Sequence, residues 1–414
     1  MDDRHSRRRI LQAGAGLLAP AALAGSALAG SALAQGVPAL PDAAAGRPAP
    51  HREKGEPPMP MTERVGFAVV GLGKLSLDEI LPAFGECRSA KLTALVSGNA
   101  DKAKAVAARY GVPSDAVYDY AGYDRIKDDP RIGAVYIVLP NSLHAEYTER
   151  AFRAGKHVLC EKPMEVSVEA CERMIRAGEA AGRKLMIAYR SQFEPHNVEA
   201  MRRIRAGELG DLRVVVTDAG HPTNLSDPAD QWRLKKSLAG GGSLPDIGIY
   251  GLNAQRYLTG EEPVEITARI HNPPNDPRFA EVEDVVVWQA RFPSGVLANG
   301  STSYTYTTTN RFEVIGTKKR LVMDPATPYQ GNRLALHSEA GEEQPKIKAA
   351  NQFARELDHM ARAILDDTAV TTPGEEGMQD VRLILAIYES ARTGKPVQID
   401  WHYARKVDPA KGAA

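Results

Sequence analysis

Val65-Gly66-Phe67-Ala68-Val69-Val70-Gly71-Leu72-Gly73-Lys74 is the stretch that decides the fold of this chain. A short apolar run with β-branched residues reads as a buried strand, and it breaks into a glycine turn. Beyond the turn, Leu77, Ile80, Leu81 and Phe84 recur at helical spacing. Strand, glycine turn and helix form the setting in which Gly-x-Gly serves a dinucleotide. Glycine lets the backbone approach a pyrophosphate, whose charge meets the positive helix N-terminus. The third glycine position of that fingerprint holds Ser76, so the motif alone also describes an ordinary tight turn.

Working outward, strands are predicted over residues 91–96, 134–139, 157–160 and 184–188, with helices over 102–110 and 144–154. Near-continuous apolar strands alternating with helices predict a parallel sheet covered on both faces. The ligand crevice of such a sheet lies at the carboxyl ends of its strands. An acid after the second strand would bond a ribose 2′-hydroxyl, but here Ser97-Gly98-Asn99 stands in that place, with Lys102 beyond. A hydroxyl and an ammonium accommodate a 2′-phosphate that an acid would repel, which predicts NADP rather than NAD. Ser97 is equally placed to cap the next helix. The following edges carry Pro140-Asn141-Ser142-Leu143-His144 and Glu161-Lys162-Pro163, so the Glu–Lys pair falls in the predicted crevice.

After Arg190 the pattern changes. A helix near 198–206 precedes strand-like runs at 212–217, 264–270, 285–292, 296–306 and 311–315. Consecutive strands joined by short turns such as Pro293-Ser294-Gly295 predict a mostly antiparallel sheet. Val286, Trp288, Ala290 and Phe292 make one apolar face of a strand whose other face keeps Val285 and Val287. That second face predicts cover by another subunit. Asp246 and Tyr250 stand four residues apart, neighbours on one helix face. Residues 351–364 and 376–392 are strongly helical, with an apolar stripe at Val381, Ile384, Leu385, Tyr388 and Ala391.

At 414 residues the chain exceeds one typical core, which predicts two domains and appendages. Lys+Arg and Asp+Glu are both 52, so no net charge draws it to nucleic acid or a membrane surface. Cys87, Cys160 and Cys171 share no paired spacing, and the ten histidines show no ligand spacing, which argues against a disulfide framework and a metal site. Ser6-Arg7-Arg8-Arg9-Ile10-Leu11 resembles the twin-arginine export motif; a weakly apolar stretch and Ala32-Leu33-Ala34 follow it. Residues 1–34 are therefore predicted to direct the protein to the periplasm and be removed. Residues 35–61 hold seven prolines and predict an extended arm. A dinucleotide domain is expected over 62–188 and a second domain over 189–403.

Gly71-Leu72-Gly73, Pro140-Asn141-x-x-His144 and Glu161-Lys162-Pro163, in this order and spacing, resemble the glucose–fructose oxidoreductase/inositol dehydrogenase/MocA family. The likeness covers about residues 37–403. Residues 139–146, 231–234, 240–253 and 373–383 are most similar to its periplasmic glucose–fructose oxidoreductases. The resemblance implies an α/β protein: an N-terminal Rossmann doubly wound parallel sheet plus a C-terminal α+β domain with a large, mostly antiparallel open sheet. It implies closing helices beside the Rossmann domain, a homo-oligomer (dimer or tetramer) packed through the open sheets, and an arm that covers a neighbour's coenzyme. It also implies that Gly71, Leu72, Gly73, Lys74, Leu75, Ser97, Lys102, Tyr120, Leu139, Pro140, Asn141, His144, Glu161, Lys162, Arg190, Trp232 and Arg233 hold tightly bound NADP. The catalytic partners of Lys162 are then Asp246 and Tyr250, the latter standing where many relatives have His.

A free tyrosine titrates near ~10, too high for a base at neutral pH. Lys162 is accordingly read as the electrostatic partner that lets Tyr250 act as acid and base, with Asp246 orienting the sugar or the lysine. The expected reaction is oxidation of an aldose at C1 to an aldonolactone, and reduction of a ketose such as fructose to an alditol such as sorbitol. Three alternatives stand beside it: an aldose–aldose oxidoreductase, a dehydrogenase that releases its coenzyme, and a non-catalytic NADP-binding sensor. Ser191-Gln192-Phe193 and His221-Pro222-Thr223-Asn224 are read as substrate-facing departures from the relatives.

Overall fold

The strand at the start of the glycine turn, β1 (Val65–Val70), is buried at every position, as a strand covered on both faces must be. The computed structural model describes residues 58–224, 226–227, 231–401 and 403–412. The predicted export segment, and the predicted arm up to residue 57, lie outside the described residues. β1 pairs in parallel with β2 (Ala90–Val96) on one side and β4 (Ala134–Ile137) on the other. With β3 (Val117–Tyr118), β5 (His157–Glu161) and β6 (Leu185–Ala188) they form a six-stranded parallel sheet in the order β3-β2-β1-β4-β5-β6. The order reverses between β1 and β4, and a crevice opens there at the carboxyl ends. A helix over Val168–Ala181, absent from the sequence reading, joins β5 to β6; Ser167 caps its start by accepting from the Ala170 amide.

A nine-stranded sheet follows, in the order β14-β13-β12-β11-β7-β10-β9-β8-β15. Its strands are β7 (Leu212–Gly220), β8 (Glu265–His271), β9 (Val285–Arg291), β10 (Leu297–Ser303), β11 (Thr309–Gly316), β12 (Arg320–Met323), β13 (Leu334–Ser338), β14 (Gly341–Glu343) and β15 (Val397–Gln398). Only β7 and β10 run parallel; the other pairings are antiparallel. One face carries the helix Ile249–Thr259, where the Trp288 indole N–H donates to Gln255 Oε1 at 3.1 Å. Gly300, beside Trp288 in the sheet, has no side chain because a Cβ would lie 2.1 Å from the indole. On the opposite face Val287 and Leu297 are 45 and 52% exposed.

The chain then returns to the first sheet. The helix Gln352–Leu365 packs on β1 and β2, and its Asp358 accepts the amides of Arg88, Ser89 and Ala90 at the start of β2. The helix Gly374–Thr393 packs on β6, β8 and the helix Val168–Ala181. Arg256 of the helix Ile249–Thr259 meets Asp380 at 2.6 Å and Glu376 at 3.1 Å, all three side chains without exposure. Arg405 closes the same cluster, 2.9 Å from Glu376.

Candidate active site

The glycine turn leaves β1 with Gly71 at φ 96°. Any larger residue there is excluded twice, by that backbone angle and because a Cβ would lie 2.1 Å from the Val138 carbonyl. Gly73, in contrast, faces open space, and Gly73 and Lys74 are exposed while Leu72 is buried and Leu75 half-buried. Ser76, in the place of the third glycine, is fully buried and its hydroxyl donates to the Gly71 carbonyl at 2.6 Å. The serine thus pins the turn it interrupts in the motif. The helical turn Ser76–Ile80 begins directly behind it.

Lys102 reaches back to this turn: its Nζ donates to the Leu72 carbonyl at 3.3 Å, and burial lowers the ammonium below its ordinary range. Ser97, directly after β2, is buried and accepts the Asn99 amide at 3.2 Å, while Asn99 itself caps the helix Ala100–Tyr110 through the Lys102 amide. The cap is therefore Asn99 rather than Ser97. An open glycine turn, a helix start and a buried hydroxyl–ammonium pair fit the phosphates of a dinucleotide with a 2′-phosphate. Tyr120 follows β3, its ring edge-on to Tyr147 at 5.5 Å.

The loops after β4 and β5 are stitched together. His144 places Nε2 2.9 Å from the Leu139 carbonyl and Nδ1 3.0 Å from the Pro163 carbonyl, and burial holds its pKa down. Asn141 donates to the Ala239 carbonyl at 2.8 Å, tying this edge to the second domain. Pro140 is buried between them. The polar atoms of Asn141 and His144 thus hold the loops that present Glu161 and Lys162.

Asp246 lies in a wide helical turn, Leu244–Gly248, that runs into the helix Ile249–Thr259 carrying Tyr250. Glu283 fixes the approach to that turn by accepting the amides of Gly242 and Leu244 at 2.8 and 3.0 Å. Lys162 Nζ donates to the Asp246 carbonyl at 2.6 Å, lies 3.7 Å from its carboxylate and sits 4.6 Å from the centre of the Tyr250 ring. Lys162 therefore meets both of its predicted catalytic partners.

Arg190 is also at this centre. Its guanidinium lies 4.6 Å from the Tyr250 ring and 4.6 Å from the Tyr329 ring, and donates to Gln352 at 2.7 Å. Arg233, stacked on Trp232 at 4.7 Å, pairs with Asp246 at 3.1 Å. Tyr304 donates to the same carboxylate at 3.0 Å. Burial opposes ionisation of Asp246, yet the charges of Arg233, Lys162 and His221 outweigh it and hold the carboxyl at about 2. Tyr304, Tyr329 and Gln352 carry no sequence signal, since they come from loops and a helix far along the chain. Ser191, Gln192 and Phe193, expected to face substrate, are buried instead. Gln192 donates to Asn253 and Glu376 in the Arg256 cluster, and the crevice lies elsewhere. His221 is exposed and does face Asp246.

A family model described as "Oxidoreductase family, NAD-binding Rossmann fold" matches residues 65–189, and "Oxidoreductase family, C-terminal alpha/beta domain" matches 202–399. The chain belongs to the Gfo/Idh/MocA oxidoreductase family. A D-xylose 1-dehydrogenase [NADP(+)] of Haloarcula marismortui is 33% identical over 339 residues, 81% of this chain and 93% of that protein. The crystal structure of an aldose–aldose oxidoreductase from Caulobacter crescentus, complexed with glycerol, shares 47% identity at a TM-score of 0.79. It covers 81% of this chain and is itself covered completely. A 3-ketoreductase from Actinomadura kijaniata, solved with NADP and TDP-benzene, shares 25% identity at a TM-score of 0.70 over 79% of this chain and 98% of its own.

Proposed function

We infer that this protein oxidises an aldose at C1 with NADP, and that the contact of Lys162 and Arg190 with the Tyr250 ring carries that reading. Tyr250 takes the C1 hydroxyl proton, and the two cations, each 4.6 Å from its ring centre, stabilise the negative charge it bears around that transfer. Asp246, ionised between Arg233 and Lys162, accepts hydrogen bonds from sugar hydroxyls and holds the lysine in place. NADP, when bound, would supply the hydride exchange between C1 of one sugar and the carbonyl carbon of another. Gly71 to Leu75, Ser97 and Lys102 would hold it. The products are an aldonolactone and an alditol. The proton Tyr250 gains from the first sugar is the one it returns to the second.

An aldose is the favoured acceptor, because the relative at 47% identity is an aldose–aldose oxidoreductase; a ketose such as fructose is the second reading. The twin-arginine segment supports a periplasmic site of action and a coenzyme retained through folding before export. Purified protein mixed with glucose or xylose should reduce its bound NADP stoichiometrically in the first turnover, seen by absorbance, and a halt at that point would mean that the same aldose does not serve as acceptor. A second aldose should discharge it and sustain turnover without added nucleotide. Discharge by fructose but not by aldoses would select the ketose reading. Protein that arrives empty and cycles only with free NADP would be a dehydrogenase that releases its coenzyme. Tyr250→Phe should keep the nucleotide and lose roughly 10²–10⁴-fold in the reduction step; near-normal reduction would remove Tyr250 from the chemistry.

A further inference from the structure

Behind Lys162 lies a set of buried acids that the reaction above leaves unused. Glu161, at the end of β5, accepts the Tyr136 hydroxyl at 2.8 Å through Oε1 and the Lys162 amide at 3.2 Å through Oε2. Glu356, on the helix Gln352–Leu365, is without exposure and places Oε2 3.5 Å from the same Tyr136 oxygen. Its Oε1 meets no hydrogen-bond donor among the described residues. Gln352, four residues earlier on the same helix face, is the residue that holds Arg190.

Counting donors assigns the proton. A tyrosine hydroxyl has one hydrogen, and that of Tyr136 is committed to Glu161 by the shorter contact. The 3.5 Å approach of Glu356 can then serve as a hydrogen bond in one direction only, with Glu356 as donor and the Tyr136 oxygen as acceptor. We propose that Glu356 is a positioning residue that carries a proton at working pH, heading a chain in which Glu356 donates to Tyr136 and Tyr136 to the Glu161 carboxylate, which also accepts the Lys162 amide. The chain fixes the backbone from which Lys162 reaches Tyr250 and keeps a second negative charge out of the floor of the site.

Burial and the charges that face Glu356 agree with this. Burial and the Glu161 charge from β5 disfavour a second anion, whereas Arg190, beyond β6, and the Tyr136 hydroxyl favour one; burial outweighs both and pushes the carboxyl well above its usual range. Glu161 is also raised by burial, but Lys162, Tyr136 and Arg190 all act to keep it charged. Of the two carboxyls, Glu356 is the one with little to gain from ionising.

The proposal rests on the catalytic reading only for its consequence, and the test separates the two. Infrared difference spectra of the purified wild type and Glu356→Gln, without any sugar, should show a protonated-carboxyl carbonyl band at neutral pH that the variant lacks. Tyr136→Phe should keep that band but shift it, since the acceptor is gone. Absence of the band in the wild type overturns the proposal, whatever the protein oxidises. The consequence is read in pH profiles of coenzyme reduction. Gln keeps a donor toward Tyr136 and cannot ionise, so its alkaline limb should move to higher pH, whereas Glu356→Leu should slow reduction at every pH. Identical alkaline limbs in the wild type and the Gln variant would overturn the coupling to the active site.

Discussion

Asp246 shows how single residues here are set by charge. Its carboxyl is held at about 2 although its side chain keeps only 20% exposure, against ~3.9 in an unfolded chain. A depressed acid stabilises the fold above the unfolded value and loses that contribution as pH falls through the folded one. Asp246→Asn should therefore be less stable than the wild type at pH 7 by on the order of 2 kcal/mol. In urea titrations that gap should narrow as pH falls from ~4 toward ~2; a gap independent of pH would refute the electrostatic account. Ser97 is the second test at this scale. It is buried directly after β2, whose last residue Val96 accepts the Gly71 amide of the glycine turn, where a new carboxylate would repel a 2′-phosphate and bond a ribose hydroxyl. Ser97→Asp should weaken NADP binding and raise use of NAD, measured as affinity for each nucleotide, and an unchanged ratio would count against this pocket.

At the scale of elements, the helix Ile249–Thr259 is the piece on which the site depends, since it carries Tyr250 and follows directly from the turn of Asp246. It is held to the helix Gly374–Thr393 by Arg256, whose partners Glu376 and Asp380 are fully buried. Removing Arg256 leaves the buried Asp380 without a cation and Glu376 with Arg405 alone, and breaking a buried pair in this way costs about 3–5 kcal/mol. Arg256→Met should lower the melting temperature sharply, and a loss below ~1 kcal/mol would mean the acids are already neutral without it. Elements with their own periodicity were legible: the buried run of β1, the helix Gly374–Thr393 with its apolar stripe, the alternation Val286, Trp288, Ala290 in β9. β3, with two residues, and the short strands β12 to β15 were not, because so short a segment is a strand only by virtue of the neighbour it pairs with. The site divides in the same way. Lys162, Asp246 and Tyr250 stand in recognisable segments. Tyr304, Gln352 and Glu356 reach the site through tertiary packing, which no local pattern records.

For the whole molecule, the unresolved question of cover falls on the outer face of the nine-stranded sheet. The inner face buries Val286, Trp288 and Ala290 under the chain's own helices. The outer face leaves Val287 of β9 and Leu297 of β10 open. Large apolar side chains exposed on one sheet face are a site for association, and we propose that a second copy of this chain covers them. Two-fold packing would bring each Val287 against the same face of its mate, so a charge introduced there is doubled at the contact. Val287→Lys should then shift sedimentation toward the monomer at low salt. Because Val287 points away from the helix that carries Tyr250, coenzyme reduction by an aldose should persist in the separated protomers. If the wild type sediments as a monomer, or the variant keeps the wild-type assembly, the face is merely exposed sheet and the oligomer is built elsewhere.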